Sequence, residues 1–101
     1  MSNRKKQVTD ADLQKKSIKL VVVYLHKKVN PKISGMNYVE EWLTEMDEVL
    51  EKEEFIRYDY IEMRKKLNEC IEMVFDADMR ISLRNSWFSF GKALEKKVPQ
   101  N

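Results

Sequence analysis

Apolar residues recur with a seven-residue period through the middle of the chain. Alternating steps of three and four residues, starting at Val39, reach thirteen positions of which twelve are apolar or aromatic. These positions are Val39, Trp42, Met46, Val49, Glu53, Ile56, Tyr60, Met63, Leu67, Cys70, Val74, Ala77 and Ile81. Neither Gly nor Pro occurs between residues 37 and 90. Since this period aligns side chains on one face of an α-helix, the pattern predicts an all-α protein.

Two arrangements of this central segment fit the repeat. In the first, one helix runs from about residue 38 into the eighties and forms a coiled-coil dimer. In the second, the segment breaks between Glu51 and Tyr58, where Asp59 and Glu62 resemble a helix start, and folds back as a hairpin. Further apolar residues, Leu43, Leu50 and Ile71, widen the stripe beyond a two-position seam. This widening favours a small bundle of three to four helices.

A helix is also predicted before the central segment. Thr9 and Asp12 resemble a capping box, and Asn30-Pro31 predicts the helix end. One arc of this helix is apolar and comprises Leu13, Ile18, Leu20, Val21, Val22, Tyr24, Leu25 and Val29. The opposite arc is basic and comprises Lys15, Lys16, Lys19, His26 and Lys27. The alternative for Leu20 to Leu25 is a buried strand, because consecutive valines favour extended backbone.

Turn residues and the spacing of apolar residues predict the remaining boundaries. Pro31 to Met36, with Gly35, predict a loop, and Asn37 with Glu40 predicts the start of the next helix. A last helix is expected from about Asp78 to Lys97, with Leu83, Trp87, Phe90 and Leu94 on its buried stripe and Ile81 and Phe88 beside it. We expect a flexible basic tail over residues 1–8, one helical domain over 9–97 and a frayed end over 98–101.

The formal net charge of +2 conceals a strong partition along the chain. Residues 1–32 carry a net charge of +7, residues 33–79 carry −9, and residues 80–101 carry +4. Opposite charges can cancel inside a folded bundle or present separate patches to partners.

Catalytic and metal chemistry are not expected. His26 is the single histidine and lies among lysines, and Cys70 is the single cysteine and falls at a buried heptad position. The pair Asp76 and Asp78 lacks the glycine and the later glutamate of a calcium loop. We therefore expect no enzyme activity, no metal and no cofactor. One cysteine also suits a reducing cytoplasm, and the longest apolar run, six residues, is too short to span a membrane.

These observations predict a non-catalytic helical protein that docks on a larger protein as an adaptor, inhibitor or regulatory subunit. A homodimer is a further expectation. Trp and Arg are common interface anchors, and here the candidate interface residues are Trp42, Arg84, Trp87 and Phe88. The alternative function is DNA or RNA binding through the basic tail and first helix. Candidate contacts for nucleic acid or for an acidic partner are Arg4, Lys5, Lys6, Lys15, Lys16, Lys19 and Lys27.

Overall fold

The computed structural model describes residues 8–99 and contains four α-helices in that range. They are α1 (Asp10–Lys28), α2 (Met36–Glu51), α3 (Arg57–Glu72) and α4 (Ala77–Ala93). No strand occurs among these residues, and Leu20 to Leu25 lie within α1. The all-α bundle is confirmed, whereas the alternatives of a buried strand and of one continuous central helix are wrong. The basic tail, with Arg4, Lys5 and Lys6, lies outside the described residues apart from Val8.

The helices form a closed square in which each contacts its neighbours in sequence and α4 returns to α1. Short connections, residues 29–35, 52–56 and 73–76, make neighbouring helices antiparallel. The diagonal pair α2 and α4 meets in the core, where the rings of Trp42 and Phe90 lie edge to face with centroids 6.2 Å apart. This arrangement places α1 and α4 on one side of the bundle and α2 and α3 on the other.

The heptad positions within α2 and α3 face the core. Val39, Trp42, Met46, Tyr60, Met63, Leu67 and Val74 are buried, whereas Glu53, Ile56, Ala77 and Ile81 are exposed. Glu53 and Ile56 lie in the connection before α3, and Ala77 and Ile81 follow the turn before α4. That turn changes the phase of the repeat, so α4 buries Leu83 and Phe90 instead. Of the predicted stripe on α4, Leu83, Phe90 and Leu94 are buried and Trp87 is half-buried, and Ile81 and Phe88 are exposed.

The helix starts in the structure agree only in part with those predicted from the sequence. Thr9 and Asp12 form the predicted capping box, with each side chain accepting a hydrogen bond of 3.1 Å from the other residue's backbone N–H. The predicted start at Asn37 is wrong, because α2 begins at Met36 after Gly35 and has no side-chain cap. The start predicted at Asp59 is also late, because α3 begins at Arg57. The last helix ends at Ala93, four residues before the predicted Lys97.

Gly35 joins the two loops at one end of the bundle. Its φ of +91° lies in the left-handed region, and an added Cβ would collide with the backbone carbonyl of Met73. Beside it, the N–H of Phe75 donates to the carbonyl of Ser34 at 3.0 Å. The loop before α2 and the loop before α4 therefore touch through backbone atoms.

The other end of the bundle brings α1 close to the segment that follows α4. The side-chain amide of Gln14 donates to the carbonyl of Lys96 at 2.9 Å, and the N–H of Val98 donates to the carboxylate of Asp10 at 2.6 Å. The predicted fraying of residues 98–101 stays a prediction, and Gln100 and Asn101 lie outside the described residues.

Candidate interaction surfaces

One face of α1 points away from the core and carries both lysines and apolar side chains. We call it the α1 outer face and define it as Lys16, Lys19, Leu20, Val23, Tyr24 and Lys27. Leu20 is 64% exposed, Val23 45% and Tyr24 59%. This corrects the predicted apolar arc, in which Leu20 and Tyr24 belonged to the buried side. Because α1 contacts only its two neighbouring helices, the core covers a narrower stripe, centred on Ile18, Val22 and Leu25.

The predicted basic residues of α1 divide into two groups. Lys16, Lys19 and Lys27 are exposed and pair with no carboxylate within residues 8–99. Lys15 is half-buried, and its ammonium donates to the carbonyl of Lys52 at the end of α2. His26 lies 3.1 Å from the carboxylate of Asp47 on α2. Lys16, Lys19 and Lys27 thus face solvent in the described part of the chain.

The predicted interface residues occupy different environments. Trp42 is 1% exposed and donates to the carbonyl of Met63 at 2.7 Å, so it is a core residue and not an exposed interface anchor. Trp87 is half-buried, and the Cζ atom of the Arg64 guanidinium lies 3.7 Å from the centre of the Trp87 ring. Arg84 pairs with Glu72 at 2.7 Å. Phe88, 57% exposed, lies on the surface of α4, where its ring meets that of Trp87 edge to face with centroids 5.1 Å apart.

A groove of about 450 Å³ runs between α1 and α4. Leu20 and Tyr24 form one wall, and Ser82, Asn85 and Ser89 form the other. Lys28 lies in the groove, where its ammonium donates to the carbonyl of Ser82 at 3.0 Å and to the hydroxyl of Ser86 at 3.1 Å. Burial lowers the pKa of Lys28, because the charged form loses solvation. The sequence patterns did not single out this lysine, since its neighbours on α4 are distant in sequence.

A second groove, of about 580 Å³, runs between α2 and α3 on the opposite side of the bundle. We call it the α2–α3 groove and define it by the apolar or aromatic residues Tyr38, Trp42, Cys70 and Met73 and by the acids Glu41, Glu45 and Glu69. Lys66 is the base in its lining, and it lies 3.8 Å from Glu45. Burial and the nearby carboxylate of Glu69 raise the pKa of the Cys70 thiol. The acids on this surface therefore outnumber the bases.

Charge differs sharply between the two sides of the bundle. On one side, α1 carries five lysines against two aspartates, and α4 carries three bases against one aspartate. On the other side, α2 carries six acids and no base, and α3 carries four of each. Within the described residues, the ion pair between α1 and α2 is His26–Asp47. The basic and acidic segments of the sequence consequently lie mainly on opposite sides of the bundle, and His26–Asp47 and Arg84–Glu72 are ion pairs between them.

Residues 8–99 contain no cluster of three or more histidine, cysteine or carboxylate side chains that could hold a metal ion. No helix in the same range is long and apolar enough to cross a membrane.

Comparison of the chain with family models, with curated proteins and with solved structures gave no significant match.

Proposed function

We propose that the protein is a non-catalytic interaction protein that docks on a larger protein through the α1 outer face. The observation that carries this proposal is the exposure of Leu20, Val23 and Tyr24 between three lysines on one face of a capped helix. As an adaptor, inhibitor or regulatory subunit, the chain would act by occupying a site on its partner.

The chemistry of the face supports a protein partner. Burying an apolar side chain at an interface contributes about 25 cal/mol per Å² of apolar area removed from water. Lysines around such a centre steer the approach of an acidic surface and exclude basic ones. A fitting partner therefore has an apolar patch rimmed by carboxylates.

DNA or RNA binding is the second candidate, and the three exposed lysines of the α1 outer face favour it. Phosphate groups would neutralise Lys16, Lys19 and Lys27, and the basic residues before Val8 would add contacts. However, a phosphate backbone offers no apolar surface to cover Leu20 or Val23. Six acids on α2 would also repel nucleic acid that wrapped around the bundle.

Affinity capture with matched variants tests the proposal. A tagged chain is used to capture partners from nuclease-treated lysate, and a captured protein is purified and its affinity measured by titration calorimetry. Leu20→Ser with Tyr24→Ser should weaken binding by about tenfold or more, because it removes the apolar centre. The control, Ile56→Ser with Tyr58→Ser, removes two exposed apolar side chains from the start of α3 and should leave affinity unchanged.

Nucleic acid binding has a different signature in the same experiment. A random duplex would bind with a steep salt dependence, and Lys16→Glu with Lys19→Glu would abolish binding. If nuclease removed all captured material and the serine variant bound duplex as well as the parent chain does, the protein-docking proposal would be abandoned.

A cytoplasmic location also forms part of the proposal. Its support is that the single cysteine, Cys70, is a free thiol, which suits a reducing compartment.

A further inference from the structure

Two surfaces of this chain match each other in chemistry. The α1 outer face is basic around an apolar centre, and the α2–α3 groove is acidic around an apolar floor. On α1, the lysines stand on either side of Leu20, Val23 and Tyr24. In the groove, the carboxylates border Tyr38, Cys70 and Met73, of which Tyr38 is 41% and Met73 49% exposed. Each surface thus has apolar residues at its centre and carries the charge opposite to that of the other surface.

The groove is also long enough to hold the apolar centre of the α1 outer face, because Leu20 to Tyr24 span about 6 Å of helix. From Lys16 to Lys27 the outer face extends over about 16 Å of helix, at 1.5 Å per residue. The groove follows α2 from Tyr38 to Glu45, about 10 Å on the same scale, and α3 from Lys66 to Met73. A helix carrying the apolar centre of α1 therefore fits the floor of the groove, with lysines left at its ends to meet the carboxylates.

The position of the surfaces decides the kind of assembly. The α1 outer face belongs to the α1–α4 side of the bundle, and the groove opens on the opposite side. Two copies cannot insert α1 into each other's groove at the same time, because the two surfaces face away from each other. A two-fold contact through either surface alone would bring lysines against lysines or carboxylates against carboxylates.

We propose that the α2–α3 groove binds the α1 outer face of a second copy of this chain, which gives a head-to-tail assembly. Such a contact leaves a free groove at one end of the assembly and a free α1 outer face at the other. Further copies can therefore add in a row. Growth stops when a ring closes or when a larger partner binds the free α1 outer face. The inference uses the same α1 surface as the proposed function, and the two occupants would compete for it. The groove takes part in self-association alone.

Sedimentation velocity on the purified full chain tests this inference directly. The average mass should rise with concentration between about 10 µM and 1 mM at low salt. It should fall back toward the monomer as the salt is raised to about 0.3 M, because screening weakens contacts between exposed charges. As a local readout, the reaction of Cys70 with a thiol reagent should slow as the assembly forms, since Cys70 lies in the groove.

A charge exchange identifies the surfaces. One variant, Lys16→Glu with Lys19→Glu, makes the outer face acidic, and a second, Glu41→Lys with Glu69→Lys, makes the groove basic. Each variant alone should associate at least about tenfold more weakly than the parent chain, because like charges now meet. A mixture of the two should assemble again, since each variant's α1 then faces a groove of opposite charge.

Matched controls separate these effects from a change in net charge. Glu53→Lys with Glu54→Lys alters the charge of the α2–α3 connection, and Lys96→Glu with Lys97→Glu alters the segment after α4, both at exposed positions. Both controls should associate as the parent chain does, and circular dichroism should show unchanged helix content in every variant.

The inference is overturned if the parent chain stays monomeric at about 1 mM in low salt, or if the mixed variants fail to assemble. It is also overturned if association is unaffected by the groove substitutions. The same groove variant distinguishes failure of this inference from failure of the proposed function. Glu41→Lys with Glu69→Lys should weaken self-association and leave capture of a larger partner intact, because the α1 outer face is unchanged.

Discussion

The neighbouring helices α1 and α2 place their apolar residues differently. Helix α2 buries Met36, Val39, Trp42, Leu43 and Met46, and among its large apolar or aromatic residues Tyr38 is the exposed one. Helix α1 buries Ile18, Val22 and Leu25 and leaves three large apolar side chains in solvent. Most apolar residues of α2 therefore contribute to the core, whereas those on the outer face of α1 lie outside it, and it is this exposed group to which we assign binding in the proposed function.

The largest expected difference between the two helices comes from truncating one apolar residue in each. Trp42→Ala in α2 should lower the free energy of unfolding by about 3–5 kcal/mol, because it empties core volume and removes the donor to the Met63 carbonyl. Leu20→Ala in α1 should cost less than about 0.5 kcal/mol. Urea denaturation followed by circular dichroism measures both. Equal losses would show that the α1 outer face is part of the folding core.

The second largest loss of stability is expected from adding a methyl group at Gly35, the residue immediately before α2. Gly35→Ala should cost about 2–3 kcal/mol, because alanine is strained at positive φ and its Cβ would meet the Met73 carbonyl. The matched change in α4, Gly91→Ala, meets the guanidinium of Arg64, which can shift at the cost of its contact with Trp87, and the better helix propensity of alanine, about 1 kcal/mol, partly offsets that cost. Thermal unfolding of both variants checks this, and a Gly35→Ala protein as stable as Gly91→Ala would refute the loop contact.

A smaller effect is expected from the helix caps. Thr9→Ala should destabilise the protein by about 1 kcal/mol, because it breaks the capping box of α1. Asn37→Ala should change stability by less than about 0.5 kcal/mol, since α2 starts without a side-chain cap. Denaturant midpoints distinguish the two, and the reverse order would restore the helix start that the sequence predicted at Asn37.

The smallest change in stability belongs to the proposed binding face. Leu20→Ser with Tyr24→Ser should alter the free energy of unfolding by less than about 0.5 kcal/mol, because both side chains are already exposed. Denaturation curves that overlap those of the parent chain, together with lost capture of a partner, would show that these residues serve binding. A clear loss of stability would instead assign them to the fold.

Much of the fold could be predicted because the seven-residue period is a local property of each helix. It correctly identified Trp42, Met46, Tyr60 and Leu67 as inward-facing, and the widened stripe favoured the bundle over a single rod. The start of α2 could not be predicted in the same way. It depends on Gly35 approaching Met73, and these residues are brought together only by the packing of two loops.

The candidate site was predictable in part for a similar reason. Lysine spacing on α1 correctly grouped Lys16, Lys19 and Lys27 on the outside. The exposure of Leu20 and Tyr24 depends on which sides of α1 have neighbours, and the sequence of α1 does not contain that information. The groove at Lys28 and the α2–α3 groove likewise require residues from two helices.

The contact between Val98 and Asp10 has a consequence for the topology of the chain. Because the beginning of α1 lies beside the segment after α4, a few added residues could join these points without spanning the bundle. The chain could then be opened at the exposed connection between α2 and α3, giving a circular permutant with the same helices in a new order.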